Sequence, residues 1–377
     1  MSKFSIINLN AAGQATPSNS VVKAQCDYLH QEQMIGGYWF AEQQSEHWQQ
    51  LYELIAQLLN CQTSQVSLQD SATRGLQLSL LSIPWQQGDE VVVTQQEYGA
   101  NWVPLLQLQQ RYDLTIHCLG NRDGAPDFSQ LKQLVTERTR LVMVTWVGSH
   151  NGSVADLGAM TDQLTGFDGY VIIDACQGMR QRALDVSQVR CDFVVATGRK
   201  FLRAPRGTGF LYTSDRVLEA GLYPLVTDHV AANLLSCDRW SLRSDARRFE
   251  CWEANWASRM GLKVALMELL ANPEQVYQTL AQISLECRER LSRVPGVELR
   301  DTGNDLSAII TFQHQHRSAA QLHQYLRSEG IETSISQSDA GPMDFAQRQL
   351  SQLNRVSPHI YTTEQDIDQL ISRLSDA

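Results

Sequence analysis

The sequence predicts an α/β protein: a mainly parallel, doubly wound sheet followed by a smaller α+β unit. Two patterns and the length carry this expectation. Short, continuously apolar, β-branched runs at 90–94, 114–117, 141–147, 170–174, 193–197 and 209–212 alternate with helix-compatible stretches such as 101–112, 127–137 and 156–166. Strands that are apolar throughout are buried on both faces, and helical crossovers between them make the pairing parallel. At 377 residues the chain exceeds what one core usually encloses. After about residue 255 the rhythm changes to long helical stretches, 257–271 and 274–293, then short apolar runs at 297–299 and 308–312 and helices near 318–329 and 363–374. Three units follow: an N-terminal arm over 1–40, a large domain over 41–255 and a small α+β domain over 256–377.

Taken in order, residues 1–40 lack strong periodicity and hold Gly13, Pro17 and the Gly36-Gly37 pair, so they read as an arm laid over the body. Ser45 reads as an N-cap, with Trp48, Leu51, Tyr52, Ile55, Leu58 and Leu59 at helical spacing behind it. Val66-Ser-Leu68 then leads through Asp70-Ser-Ala-Thr-Arg-Gly75 into an apolar helix from Leu76 to Leu81. Hydrophobic residues make up 43% and charged ones 19%, an ordinary soluble composition. Lys and Arg number 31 against 41 Asp and Glu, a net charge of −10 that argues against nucleic acid or an anionic membrane as partner. No apolar run approaches the roughly 18 residues of a membrane span, and the opening Met1 to Asn10 reads as no secretory leader. The eight cysteines are scattered without C-x-x-C spacing, so no metal site is expected and reduced thiols in a cytoplasm are.

The chemistry gathers at strand ends. Asp174 closes the run Tyr170–Asp174, and Lys200 closes Phe193-Val-Val-Ala-Thr-Gly-Arg-Lys200. Open α/β sheets bind ligands at the carboxyl ends of their strands. A carboxylate and an amine there suit pyridoxal phosphate, whose aldehyde takes an amine as a Schiff base and whose ring nitrogen needs an anion to stay protonated. The junction at 70–75 offers helix N-terminal N–H groups and the Thr73 hydroxyl as a phosphate seat, although a Thr or Ser there more often just caps a helix. Tyr98, just past the strand at 90–94, can lay an aromatic face on a ring or simply pack. Gln177 can donate to the ring oxygen, and Thr197 and Arg199 can reach phosphate. A Lys-Phe-Leu-Arg run is ordinarily a solvated face; here it follows a buried strand and precedes the tight turn at 204–209.

Asp174-Ala-Cys-Gln177 and Thr197-Gly-Arg-Lys200 resemble the class V aminotransferase family of fold-type I pyridoxal phosphate enzymes, which includes cysteine desulfurases, selenocysteine lyases and isopenicillin N epimerase-like proteins. The resemblance extends to Asn10-Ala-Ala-Gly13, Ser71-Ala-Thr73, Gln96-Glu-Tyr-Gly-Ala-Asn101, Arg247-Arg-Phe-Glu250 and Arg355-Val-Ser-Pro-His359. It implies Lys200 as the Schiff-base lysine and Cα acid/base, Asp174 against the pyridine nitrogen and Gln177 against the ring oxygen. It further implies Ala72 (through its backbone), Thr73, Thr197 and Arg199 on phosphate, and Tyr98 stacked on the ring. Ala12 is placed beside the substrate, and Arg355 on the α-carboxylate of an amino acid. It implies a homodimer as well.

The sequence departs from many relatives in carrying Tyr98 and Arg199 where His is common, and Cys251-Trp-Glu253 where desulfurases have a Gly-Thr pair. Desulfurases also place a persulfide-forming cysteine within the region matching 330–354, and this stretch has none. A C–S lyase acting on an α-amino acid is therefore expected in preference to a persulfide-relay desulfurase. An aminotransferase or epimerase, and a catalytically idle cofactor-binding scaffold, are the alternatives. The glycines near 198–209 match neither G-x-x-x-x-G-K-[ST] nor G-x-G-x-x-G, which disfavours a nucleotide site.

Overall fold

The computed structural model describes residues 6–377. Its centre is a seven-stranded sheet built from β1 (Val66–Gln69), β2 (Glu90–Thr94), β3 (Thr115–Leu119), β4 (Thr139–Thr145), β5 (Tyr170–Asp174), β6 (Phe193–Thr197) and β7 (Gly209–Thr213). The order across the sheet is β1-β7-β6-β5-β4-β2-β3. Neighbours pair in parallel except β7, which runs antiparallel to both β6 and β1. Register places Asp174 beside Val195 and Thr145 beside Asp174, so three strands end side by side.

The unbroken apolar runs are explained by two cores. Val142, Val144, Val171, Ile173, Val194 and Ala196 face one cluster, shared with helices Ser45–Leu59 and Trp256–Leu270. The alternate residues Leu141, Met143, Ile172, Phe193 and Val195 face another, shared with helices Ala72–Ser82 and Gly99–Tyr112. Successive side chains on a strand point to opposite faces, so a strand covered on both sides must be apolar at every position. Burying each such side chain contributes about 1.5–3 kcal/mol.

A second, antiparallel sheet contains β8 (Val297–Leu299), β9 (Ile310–His314), β10 (Ser334–Gln337) and β11 (Gln352–Val356), in the order β8-β9-β11-β10. Its core gathers Phe312, Val356, Leu322, Leu326, Ile367 and Leu370, together with Ile7 and Leu9 from the other end of the chain. Strand Ile7–Asn8 pairs in parallel with Ile331–Glu332.

Several sequence expectations need correction. The segment 1–40, of which residues 1–5 lie outside the described part, holds a 17-residue helix, Asn19–Ile35, capped by the Ser18 side chain. Only Val21 and Tyr28 on it are buried, so it carries no apolar stripe for periodicity to find. Ser45 is not a cap but the first residue of its helix, which follows Gly37–Gln43 after a single residue. Helix Trp256–Leu270, expected to open the small unit, lodges Leu262, Ala265, Leu266 and Leu269 in the core of the large one. β10 and β11 went unseen because Ser-Ile-Ser-Gln and Gln-Leu-Asn-Arg-Val are too polar to read as strands.

The two sheets meet through glycine. A Cβ on Gly99, at the start of its helix, would collide with the Asp339 carbonyl oxygen, and one on Gly341 with the His150 ring. The segment after β10 is thus packed closely against the start of helix Gly99–Tyr112 and against the His150 ring. Gly99→Ala should cost about 1–3 kcal/mol by overpacking and raise hydrogen exchange across residues 338–341. Unchanged exchange there would mean that the segment is held elsewhere.

Candidate active site

The carboxyl ends of β4, β5 and β6 and the first turn of helix Ala72–Ser82 enclose a cavity of about 620 Å³, part of it open to solvent. Ala72, Thr73, Tyr98, Asp174, Gln177, Thr197, Arg199 and Lys200 all line it. Ala12 and Arg355 belong to its surroundings: the Ala12 carbonyl accepts from Gln177 Nε2 at 3.1 Å, and Arg355 donates to the carbonyl of Ser149, itself a lining residue, at 2.9 Å.

Each group is set by a local cause. The Ser71 side chain accepts the Arg74 N–H at 3.2 Å, which caps the helix and leaves the N–H groups of Ala72 and Thr73 without intrahelical partners. Gly209 makes this seat possible: a Cβ there would lie 2.6 Å from the Ala196 oxygen and 3.1 Å from the Ser71 carbonyl carbon. The Asp174 carboxylate is held at both oxygens, Oδ1 accepting from the Cys176 N–H at 2.9 Å and Oδ2 from Asn101 Nδ2 at 3.0 Å. Lys200 lies three residues beyond β6, in a turn closed by the Arg203 N–H donating to the Lys200 carbonyl at 2.9 Å. Its Nζ stands 5.8 Å from the centre of the Tyr98 ring. Desolvation lowers the lysine's pKa from its usual value; Cys176 and Asp174 oppose this, and Arg199 and Arg355 add to it. Such an amine loses its proton readily and becomes a nucleophile.

Other groups are already committed. The Arg199 guanidinium donates to the Gly13 carbonyl, and the Thr197 hydroxyl donates to the Thr208 carbonyl at 3.3 Å. Gln177 Oε1 and Arg355 Nε are buried with no hydrogen-bond partner among the described residues. Buried polar atoms left unpaired are costly, so these two await a polar ligand. Arg355 loses affinity for its proton through burial, to a pKa of about 10, and remains a cation near neutral pH. A phosphate seat, an amine, an oriented carboxylate and a guanidinium with one unpaired nitrogen around one cavity form a donor set that fits pyridoxal phosphate together with an amino acid.

Sequence reading missed Asn101, Thr145, Ser149 and Cys176 in the cavity wall, and Glu97 behind it. Glu97 and Asn101 stand four residues apart in the stretch quoted around Tyr98, a spacing that places two side chains on one face of a starting helix. Arg247-Arg-Phe-Glu250 proves architectural: the buried Glu250 carboxylate accepts from Tyr52 Oη at 2.9 Å and from the Leu68 N–H of β1 at 2.7 Å.

Comparison with known proteins identifies the family. The family described as Aminotransferase class-V matches residues 6–370. A cysteine desulfurase of Pectobacterium atrosepticum is 26% identical over 376 residues, 97% of this chain and 91% of that protein. A probable cysteine desulfurase of Methanothermobacter thermautotrophicus is 23% identical, covering 98% and 94%. Among solved structures, the cysteine desulfurase CsdA from Escherichia coli superposes with a TM-score of 0.89 at 23% identity, covering 98% and 94%. The cystine C–S lyase C-DES, in complex with its reaction product cysteine persulfide, superposes with a TM-score of 0.88 at 21% identity, covering 99% and 98%. These two structures share the fold. With a match that spans nearly all of its length, the chain belongs to the class V aminotransferase family and is a pyridoxal phosphate-dependent enzyme.

Proposed function

We propose that the chain is a C–S lyase that breaks the Cβ–sulfur bond of a cysteine-type α-amino acid by elimination, without passing sulfur to a cysteine of its own. The placement and state of the thiols carry this reading. Residues 330–354 contain no cysteine. All eight cysteines are free, and of these Cys176 lines the cavity. Its burial, and then the negative charge of Asp174, push that thiol well above its usual range. A thiol that keeps its proton is a poor nucleophile.

Bound pyridoxal phosphate draws electrons from the Cα of an amino acid joined to its aldehyde carbon, which makes the Cα proton acidic. This chain's residues supply the rest. The Ala72 and Thr73 N–H groups would seat the phosphate, joined by the free N–H groups of Arg199 and by the Thr197 hydroxyl once it turns from the Thr208 carbonyl, and Tyr98 would offer its ring face. Asp174 would face the ring nitrogen with its carboxylate, and the second N–H of Gln177 Nε2 would remain for the ring oxygen. Arg355 clamps the α-carboxylate with the help of the Ala12 segment. Lys200, whose burial favours the uncharged amine, would hold the aldehyde and then accept the Cα proton. Sulfur leaves Cβ with the bonding electrons, and hydrolysis of what remains gives pyruvate and ammonia.

We also infer a homodimer and a cytoplasmic setting. Leu225, Val226, Leu234, Leu235 and Trp240 are exposed on and beside the hairpin Ala232–Ser236/Arg239–Leu242, and Tyr223 packs edge-on against Trp240 at 5.6 Å. Such a surface supports a covering partner, and the free thiols suit a reducing compartment.

Incubated with cysteine, cystine, cysteine conjugates and sulfoxides, the holoenzyme should release pyruvate and ammonia from at least one of them. A new keto acid without sulfur release, or the opposite enantiomer, would instead show transamination or epimerisation. Cys176→Ala should keep most of its turnover, and loss of most of it would sink the thiol-independent reading. Arg355→Lys should raise KM about tenfold or more while kcat changes less, because a charge-assisted pair contributes about 1.5–3 kcal/mol and lysine cannot replace its fork. Equal KM values would remove Arg355 from substrate binding.

A further inference from the structure

Behind Asp174 lies a second carboxylate that the chemistry above does not use. Glu97 sits in the turn between β2 and helix Gly99–Tyr112, completely buried. Its Oε1 accepts from Thr94 Oγ1 at 2.7 Å and from the Thr145 N–H at 2.7 Å. Its Oε2 accepts from Thr145 Oγ1 at 2.9 Å and from Asn101 Nδ2 at 3.0 Å. The same Asn101 nitrogen donates to Asp174 Oδ2 at 3.0 Å. One amide group therefore spends its two hydrogens on two buried carboxylates. A structural glutamate needs no such link, and a plain helix-start asparagine needs neither partner.

We propose that Glu97 and Asn101 are positioning residues for Asp174: Asn101 fixes the direction of its carboxylate, and the charge on Glu97 strengthens its hold on the proton of the cofactor's ring nitrogen. The proposal rests on Asp174 facing that nitrogen, as read above. The geometry gives both halves a physical route. Asn101 can turn only by breaking one of its two bonds, so Oδ2 has one favoured orientation. Charges a few ångströms apart in a water-poor interior interact more strongly than in solvent.

The ionisation of Glu97 falls where enzymes work. Desolvation raises its pKa to about 7, the donors from Asn101, Thr94 and Thr145 resist the rise, and the charge of Asp174 adds to it. Asp174 and the Cys118 thiol are the ionisable groups that face it from other strands, and burial pushes Cys118 up to about 11, so the thiol stays neutral. Below its midpoint Glu97 is neutral. As pH rises it becomes an anion and favours a protonated ring. A bound ring cation pulls the midpoint lower, since opposite charge favours the ionised form.

The test uses holoenzyme carrying pyridoxal phosphate labelled with 15N at the ring nitrogen, titrated from about pH 5 to 9 across the span of a raised carboxyl. The readouts are the 15N resonance and the visible absorption band. The wild type should give the resonance of a protonated pyridine, which strengthens in one step as Glu97 ionises. Glu97→Gln, nearly the same shape, should abolish the step and move the resonance towards the unprotonated value. It should also lower kcat by about tenfold, the effect of one pK unit, with KM unchanged because Glu97 does not touch the substrate. Thr94→Val removes one donor to the charged form outside the cavity and should move the step to higher pH. Glu97→Gln curves that superimpose on the wild type overturn the proposal, and so does a step that stays in place in Thr94→Val. Asp174→Ala separates the two readings. If it alone shifts the resonance, only the Glu97 link fails; if it too leaves the ring protonated, the Asp174 reading falls and the proposal with it.

Discussion

The Asp174 carboxylate, buried at the end of a central strand and gripped at both oxygens, is the constraint around which the site is arranged. A buried carboxylate without partners would shed its charge by taking up a proton. Here the Cys176 N–H meets one oxygen as the chain turns out of β5, and the Asn101 amide meets the other from a neighbouring crossover helix. Both donors exist only because β4, β5 and β6 end in register and Gly99–Tyr112 starts beside them. The sheet is thus the means by which this carboxylate is held in a fixed direction away from water.

The rest of the cavity is drawn together from distant parts of the chain. The Ala12 N–H donates to Ser357 Oγ at 2.9 Å, and Ala15 N–H donates to the Arg199 carbonyl at 3.0 Å. His359 Nε2 pairs with the Phe201 carbonyl at 2.9 Å. The Lys200 turn, the first described residues and the strand bearing Arg355 therefore form one bonded unit. Loosening any of the three disturbs the other two, which suits a site that must hold a cofactor and a substrate in one geometry.

What the sequence disclosed follows from the same physics. Strands covered on both faces must be apolar throughout, so the central sheet and the charged residues at its ends stood out, and with them Asp174 and Lys200. Elements built largely from polar residues left no such trace: helix Asn19–Ile35, mostly in water, and strands β10 and β11, although β11 is largely buried. Glu97 escaped notice for a different reason. A glutamate in a polar stretch reads as solvated, and only the fold shows Thr94, Thr145 and Asn101 enclosing it. Arg199 was legible as a cation near the site, but its bond to the Gly13 carbonyl joins segments 186 positions apart, which no local pattern can reveal.

The glycine contacts at 99 and 341 fix where the segment after β10 lies against the large domain. One glycine meets the Asp339 backbone and the other the His150 ring, and neither position has room for a single added carbon.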